Sequence, residues 1–518
     1  MDTDARPPLR LWMGTAALGL IAAVLGYLGY GFYLDGQPDF EDAGIADRIY
    51  YTLQLFLLDP TPLDAPPYGP LLSTAMYLAP LATVLAVLQA VSLAFREQIA
   101  SWRLRRRRGH AVVVGAGPEA FALARQLGGA SVLIGSNVSP TAARRHGVRL
   151  VAGDPVDEAT LRAAGVVGAA RVFALSEVSA TNAGVALLVR ELHRVGVTVH
   201  ARADDGKLVA ALRARRLAAR GSDDRYQLDF FSLEDLAAVA LLDGHDDGRP
   251  PTVIGNTPFA AAVVREVRRR RRHAGEPEVV EELPGGNALP FPPLAGTVYV
   301  AMHDPDQVLH IGLSLLLAGH SRIVLCLGAR SLLADALEQQ LFGEVDSGLE
   351  VFGILDAACD PVLLERNALV ERLARALHTR YLAEYGRAPT RPSHRPWNEL
   401  APGYQEDNRR QAEHIGTKLA AIHAAIVPAA PGLPPFTFRG DEFNDLARME
   451  HDRWVAAKRE AGFVYGVPET ATTHPDVLDW DDPRLTEAAR EKDRLFVRNL
   501  PALLDAEDLA IVRLPPPD

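Results

Sequence analysis

Two long apolar stretches dominate the N-terminal part of the chain. Leu11 to Leu34 and Leu71 to Phe95 carry no charged residue. Each exceeds the roughly 20 apolar residues that cross a bilayer core, so each is expected to be a transmembrane helix. The first is longer than the apolar region of a secretory signal, about 7–15 residues, and no small-residue cleavage site follows it. From Ala111 onward the pattern changes. Short apolar runs at 111–114, 131–134, 150–152 and 172–175 alternate with helical segments such as 121–127. Strands alternating with helices at this spacing predict a parallel sheet in an α/β domain. The theme restarts after Pro250-Pro251, with strand candidates at 252–254, 297–301, 323–327 and 349–352 and a helix at 307–317. This predicts a second, degenerate Rossmann-like unit with one turn glycine, Gly255, where phosphate binding is not expected.

Charge adds an orientation. Arg6 and Arg10 precede the first apolar run, and Arg96, Arg103 and Arg105 to Arg108 follow the second. The loop from 35 to 70 carries Asp35, Asp39, Glu41, Asp42, Asp47, Asp59 and Asp64 against Arg48 alone. Positive flanks stay cytoplasmic, so both termini are expected inside and the location is the inner (plasma) membrane. The four-Arg run then acts in topogenic anchoring or contact with anionic lipid. Within the loop, Ile49 to Leu58 is apolar but too short to span. It is either a re-entrant helix, tolerated only where it is buried in protein or lines a cavity, or an amphipathic helix outside the bilayer. Ala22 and Gly26, one turn apart, permit close helix approach.

Composition narrows the classes. The 518 residues carry a net charge of -11 and two cysteines, Cys326 and Cys359. A disulfide framework is excluded, and the acidic balance argues against a nucleic-acid partner. No GxSxG, HExxH, CxxC or Walker A motif occurs, and His310, His320, His378 and His414 lack ligand spacing. Neither an enzyme nor a metal site is expected. The run Arg268 to Arg272 reads as a solvated helix end.

One motif carries ligand chemistry. Gly115-Ala116-Gly117-Pro118-Glu119-Ala120 stands between a strand and a helix, which is the context a G-x-G-x-x-A fingerprint requires. The glycines allow a tight turn and close approach to a pyrophosphate, and the helix N-terminus faces the phosphates. Gly153-Asp154, Ser176 and Asn182 follow in order. The series GAG…GDPVDEATLRAAGV…ALSEVSATN, covering roughly 109 to 243, resembles the TrkA-N (RCK, KTN) nucleotide-binding domain that regulates potassium channels and transporters. The resemblance implies NAD(P) or another adenine nucleotide at Gly115, Gly117, Ala120, Ser136, Gly153, Asp154 and Ser176. The family's acidic residue after the second strand is missing, because Gly135, Ser136 and Asn137 follow Ile134. NAD(H), a phosphorylated ribose, another nucleotide and an empty structural fold therefore stay open. Two spans around a short helix also resemble the pore unit of two-span potassium channels. A TVGYG-type filter is absent: Leu57-Leu58-Asp59-Pro60-Thr61-Pro62 holds its place, and Gly29-Tyr30-Gly31 lies in the first span.

The last part holds Leu446-Ala447-Arg448-Met449-Glu450-His451-Asp452-Arg453-Trp454, then Lys458, Gly462-Phe463-Val464-Tyr465-Gly466, His474-Pro475, Trp480 and Glu491-Lys492-Asp493-Arg494. This resembles the RyR domain, the repeat of ryanodine receptors that also occurs in prokaryotic proteins. An earlier echo, Leu373-Ala374-Arg375 to His378, then Trp397 and Asn408-Arg409, fits a half-repeat packed face to face with it. His451 and Trp454 share a helical face. With Tyr465, Trp480 and Trp397 they either line an aromatic ligand pocket, with Arg448, Lys458 or Arg494 on a phosphate, or form core.

The expected fold class is a membrane protein: two transmembrane α-helices (1–108), tandem Rossmann-like α/β domains (109–249 and 250–364) and a mostly α-helical RyR domain (365–518). Two spans cannot enclose a pore, so a homo-oligomer is expected, a tetramer by family analogy or else a dimer. The functional expectation is a ligand-gated, ion-channel-like effector that senses a nucleotide-type ligand. The alternative is a membrane-anchored nucleotide-binding scaffold without a pore.

Overall fold

The computed structural model describes residues 9–35, 40, 44–59, 62–63, 68–95, 102, 104–194, 196–218, 226–271, 277–281, 296–328, 348–386, 392–470 and 472–515. Of the charges that set the expected orientation, Arg6, Asp39, Glu41, Asp42, Asp64, Arg96 and Arg103 lie outside these residues, as does Arg272 of the later arginine run. The chain divides after Arg103 into two compact units.

In the first unit, α1 (Leu9–Leu34) and α3 (Pro70–Ala94) are the two apolar helices. Stretches of 23 and 25 residues in them are long and apolar enough to cross a membrane. They meet along small residues, with Ala22, Ala75 and Ala79 fully buried. At Gly29 a β-carbon would stand 2.8 Å from the Leu72 backbone, so the helices can meet there only through glycine. The apolar loop segment forms α2 (Ile45–Phe56), which packs back onto both long helices. A β-carbon on Gly26 would lie 3.0 Å from Thr52. Leu55 joins the cluster of Ala22 and Leu72, and the Phe56 carbonyl accepts from Thr83 Oγ1 at 3.0 Å. Thr83 lies near the middle of α3, so the last turn of α2 reaches that level. The small-residue face of α1 is thus filled within one chain.

The second unit begins with a six-stranded parallel sheet of order β3-β2-β1-β4-β5-β6. Its strands are β1 (Ala111–Val114), β2 (Ser131–Gly135), β3 (Arg149–Ala152), β4 (Arg171–Ala174), β5 (Val197–Arg202) and β6 (Tyr226–Phe231). Helices α4 (Pro118–Leu127), α5 (Pro140–Arg145), α6 (Glu158–Ala163), α7 (Ser179–Leu192) and α8 (Gly206–Ala218) connect them. This is the strand order of the dinucleotide-binding fold, with its switch point between β1 and β4. Helix α9 (Leu233–His245) leads to a second parallel sheet. It comprises β7 (Thr252–Ile254), β8 (Glu278–Val280), β9 (Val298–Val300), β10 (Ile323–Leu327) and β11 (Leu349–Gly353), with α10 (Pro258–Arg270) and α11 (Pro305–Leu317). The order β11-β10-β9-β7-β8, read from the β8 edge, is 2-1-3-4-5, the flavodoxin-like arrangement. The second α/β domain is therefore a parallel, Rossmann-like unit as expected, but wound in an order different from the first.

The side-chain parity of the strands shows how the two sheets combine. Val113, Leu133 and Phe173 of the first sheet, and Val253, Tyr299 and Cys326 of the second, face one continuous core. That core also holds Leu123 of α4, Leu241 of α9 and Val263 of α10. The alternate residues face away into separate clusters, Val112 and Val132 into one and Ile254 and Leu325 into another. The two sheets therefore share one layer of helices. Helices α12 (Ile354–Ala358) and α13 (Pro361–Arg366) close this layer and lead to the last domain.

That domain contains α14 (Leu369–Tyr385), α15 (Pro402–Glu413), α16 (Ile415–Ala421), α17 (Glu442–Glu460) and α18 (Glu487–Asp505). A ribbon pairs β12 (Ala424–Pro428) antiparallel with the C-terminal strand Leu509–Arg513. Ala214 and Leu217 of α8 belong to its core, and a β-carbon on Gly416 would stand 1.9 Å from the Leu217 carbonyl oxygen. The helical domain is thus built directly onto the first α/β unit.

Candidate functional site

A cavity of 260 Å³ opens between α14 and α15 on one side and α17 and α18 on the other. Its walls include Tyr381, Tyr385 and Tyr404 from the first pair and Trp454 and Lys458 from the second. The Lys458 ammonium stands between the rings of Tyr404 (5.6 Å), Trp454 (5.8 Å) and Phe463 (5.5 Å), and pairs with Asp407 at 2.7 Å. Lys492 pairs with Asp476 at 2.9 Å, and Arg453 with Glu450 at 2.6 Å. Arg380 differs. It is half-buried and donates to Asn499 Oδ1 at 3.0 Å, with no carboxylate within ion-pair distance among the described residues. Burial pushes its pKa below the ordinary guanidinium range, because nothing nearby repays the lost hydration. Glu469 also lines the cavity, 3.7 Å from His474, so an anionic group is favoured at Arg380 and the aromatic walls suit a planar one.

The residues singled out from the sequence divide in this geometry. His451 and Trp454 line the cavity. His451 is buried with both ring nitrogens engaged, Nδ1 with Asp493 at 3.0 Å and Nε2 with the Leu478 carbonyl at 2.9 Å. Only its ring face remains for a ligand. Trp480 packs edge-on to His451 in the neighbouring core, and Trp397 stands behind His378 under Arg375 and Arg409. Tyr465 is exposed beneath Arg484. Arg448 pairs with Asp481 and Arg494 with Glu487, both outside the cavity lining. The sequence reading missed Arg380 and the tyrosines of α14. Their one sequence signal is the spacing of His378, Tyr381 and Tyr385 along a single helical face.

Glu450 anchors the cavity floor. It is buried, 2.6 Å from Lys418 Nζ, and Lys418 is wholly buried with His414 Nδ1 at 2.9 Å. Burial raises the Glu450 carboxyl, but Arg453 and Lys418 overcome that and hold it at about 2. Burial, then Lys418, pushes His414 down to about 4. Burial also lowers His110, His200 and His474. In the window from about 6.5 to 4 the folded chain thus binds fewer protons at these four groups than the unfolded chain. Their stabilisation is complete above the unfolded value and is lost as pH falls through the folded ones. His451 and Asp493, both raised, act in the opposite sense, since they keep a proton to higher pH. The urea midpoint is expected to fall between pH 7 and pH 4.5, and His414→Asn should flatten that fall. Parallel curves for the two proteins would rule His414 out.

The second candidate is the turn after β1. Gly115, at φ +152°, turns the chain where a β-carbon would lie 3.1 Å from the Leu175 carbonyl and 3.0 Å from the Ala120 β-carbon. Gly117 caps α4, and Ala120 is buried beneath it. Ser176 follows β4 across the switch point. Its N–H donates to Asn182 Oδ1 at 2.8 Å, and Asn182 Nδ2 donates to the Ser176 and Arg202 carbonyls. Asp154 Oδ1 accepts from Val156 N–H, Gly153 leaves room for Thr160, and Ser136 is exposed past β2. The turn, the cap and the order of loops are those of a nucleotide-binding α/β unit.

Residues 111–219 match the TrkA-N domain. TrkA-N domains are regulatory nucleotide-binding domains of transport proteins. Similar solved structures include GsuK bound to ADP, with 18% identity, a TM-score of 0.36, and coverage of 69% of this chain and 99% of that one. The GsuK channel bound to NAD has 14% identity, a TM-score of 0.36, and coverage of 85% and 91%. The GsuK RCK domain has 13% identity, a TM-score of 0.35, and coverage of 66% and 85%. At these TM-scores they fix neither arrangement nor ligand. No curated protein matches the chain.

The TrkA-N turn does not fit a pyrophosphate as it stands. Both carboxylate oxygens of Glu119 lie 2.6 Å from where a β-carbon on Gly117 would be, in the space that the second glycine of the fingerprint keeps clear. No carboxylate follows β2 to hold a ribose. Among the described residues no cluster of metal-ligating side chains occurs.

Proposed function

We propose that the chain is a ligand-gated, ion-channel-like membrane effector. In this reading the cytosolic α/β domains and the C-terminal RyR-like domain sense a nucleotide-type ligand. They bias a pore built from several copies of the two-helix unit, without the potassium-channel filter. The observation that carries it is a TrkA-N domain placed behind two helices long and apolar enough to cross a membrane. The reach of α2 to the middle of α3 supports a re-entrant helix. The ligand belongs in the helical-domain cavity, where Arg380 lacks a counter-charge. A volume of 260 Å³, below the roughly 300–1,000 Å³ of drug-sized sites, favours one nucleotide unit over a dinucleotide. Binding gates only through differential affinity for two packings of these domains. The copies form a homo-oligomer, a tetramer in this reading, in the inner membrane with both termini cytoplasmic and the Arg105 to Arg108 run near anionic lipid.

The full chain in liposomes tests this directly. Cation or anion flux should rise on adding one member of a panel of AMP, ADP, ATP, NAD(H), NADP(H) and cyclic mono- and dinucleotides. Tight vesicles with every member, alongside a thermal shift with one of them, would replace the pore by the membrane-anchored scaffold.

A further inference from the structure

The TrkA-N turn holds an anion of its own. Glu119 sits in the first turn of α4, where the partial positive charge of a helix N-terminus favours a negative group. Its side chain is 6% exposed and folds back over Gly117. Arg202, at the end of β5, reaches Glu119 Oε1 at 2.8 Å and Asp204 Oδ1, also at 2.8 Å. From the second α/β unit, Cys359 donates its thiol to the Glu119 carbonyl at 3.4 Å. A carboxylate, a helix N-terminus and a guanidinium thus reproduce, inside the protein, the contacts a bound phosphate would make.

We propose that Glu119 is a built-in occupant of the phosphate cradle, and that this TrkA-N domain, as folded, excludes the pyrophosphate of a dinucleotide. The fingerprint survives as a turn, its anion supplied by the chain. Glu119 is a flexible side chain and not backbone, so the exclusion is reversible. A nucleotide must break the Glu119–Arg202 pair, and its apparent affinity falls by the fraction of molecules in which the pair is open. This inference is independent of where the gating ligand binds.

The test measures NADH and ADP binding to the full chain by calorimetry. An Arg380→Gln background weakens the helical-domain cavity, and any binding that persists there is the baseline. With Glu119 in place, neither probe should bind beyond that baseline at millimolar concentration. Glu119→Ala should raise affinity about tenfold or more, and adding Gly117→Val should abolish the gain by refilling the cradle. Glu119→Gln keeps the shape without the charge. It should give a smaller gain, and it serves if Glu119→Ala melts too low to titrate. Tight NADH binding with Glu119 present overturns the proposal, and so does the absence of any gain in folded Glu119→Ala or Glu119→Gln protein.

Discussion

Glu450→Ala should destabilise the helical domain by about 3–5 kcal/mol, the usual consequence of removing one partner of a buried ion pair. The wild-type carboxylate neutralises Lys418, whose side chain is entirely buried, and Arg453, whose side chain is 13% exposed. Without it, Lys418 keeps only the His414 nitrogen as a hydrogen-bond partner among the described residues, and neither the ring of Phe496 nor the more distant Asp493 replaces a paired counter-charge. Lys418→Met combined with Glu450→Gln removes the buried cation and leaves an acceptor for Arg453, so much of the loss should return. Chemical-denaturation midpoints of the three proteins decide the matter. A Glu450→Ala protein within about 1 kcal/mol of wild type would mean that the triad is hydrated and peripheral.

Arg380→Gln should weaken binding of AMP by about 10- to 150-fold while leaving the melting temperature of the free protein nearly unchanged. The range is that of one charge-assisted hydrogen bond, about 1.5–3 kcal/mol. The free protein loses little, because Arg380 donates only to Asn499 Oδ1 among the described residues and its charge is unneutralised. Arg380→Lys should recover part of the affinity through charge alone, without the planar fork. Trp454→Ala makes a useful contrast, since Trp454 also packs edge-on to His474 and should lower both affinity and stability. If AMP binds equally to wild type and Arg380→Gln, the cavity is not an anion site.

The architecture was legible where one element carried its own signal. Val112, Val113 and Val114 are buried on both faces of a parallel strand and read as an unbroken apolar run. The edge strand β8 was not legible, because three residues with Glu278 exposed carry neither run nor alternation. Nor was the 2-1-3-4-5 order, which depends on that strand. The helical-domain site was half legible for a different reason. Arg448, Lys458 and Arg494 look as suitable for a phosphate as Arg380 does. What separates them is Asp481 and Asp407, 33 and 51 residues from Arg448 and Lys458, and Glu487, two turns before Arg494 on the same helix. An unpaired charge is a property of the folded neighbourhood and not of a motif. Glu119 misleads in the same way. Written along the chain it is an ordinary first-turn acid, and only the fold places its carboxylate over Gly117.

The shared helical layer bears on how such a chain could have arisen. Leu123, Leu241 and Val263 lie in one core with side chains of both sheets. A gene that lost residues 250–364 would keep α4 and α9 but strip one side of them bare. Contiguous bare apolar surface on that scale leads to aggregation. A protease cut that released the second sheet would have the same result. The two sheets are therefore heritable only as a pair, and any shuffling of this gene should exchange them together.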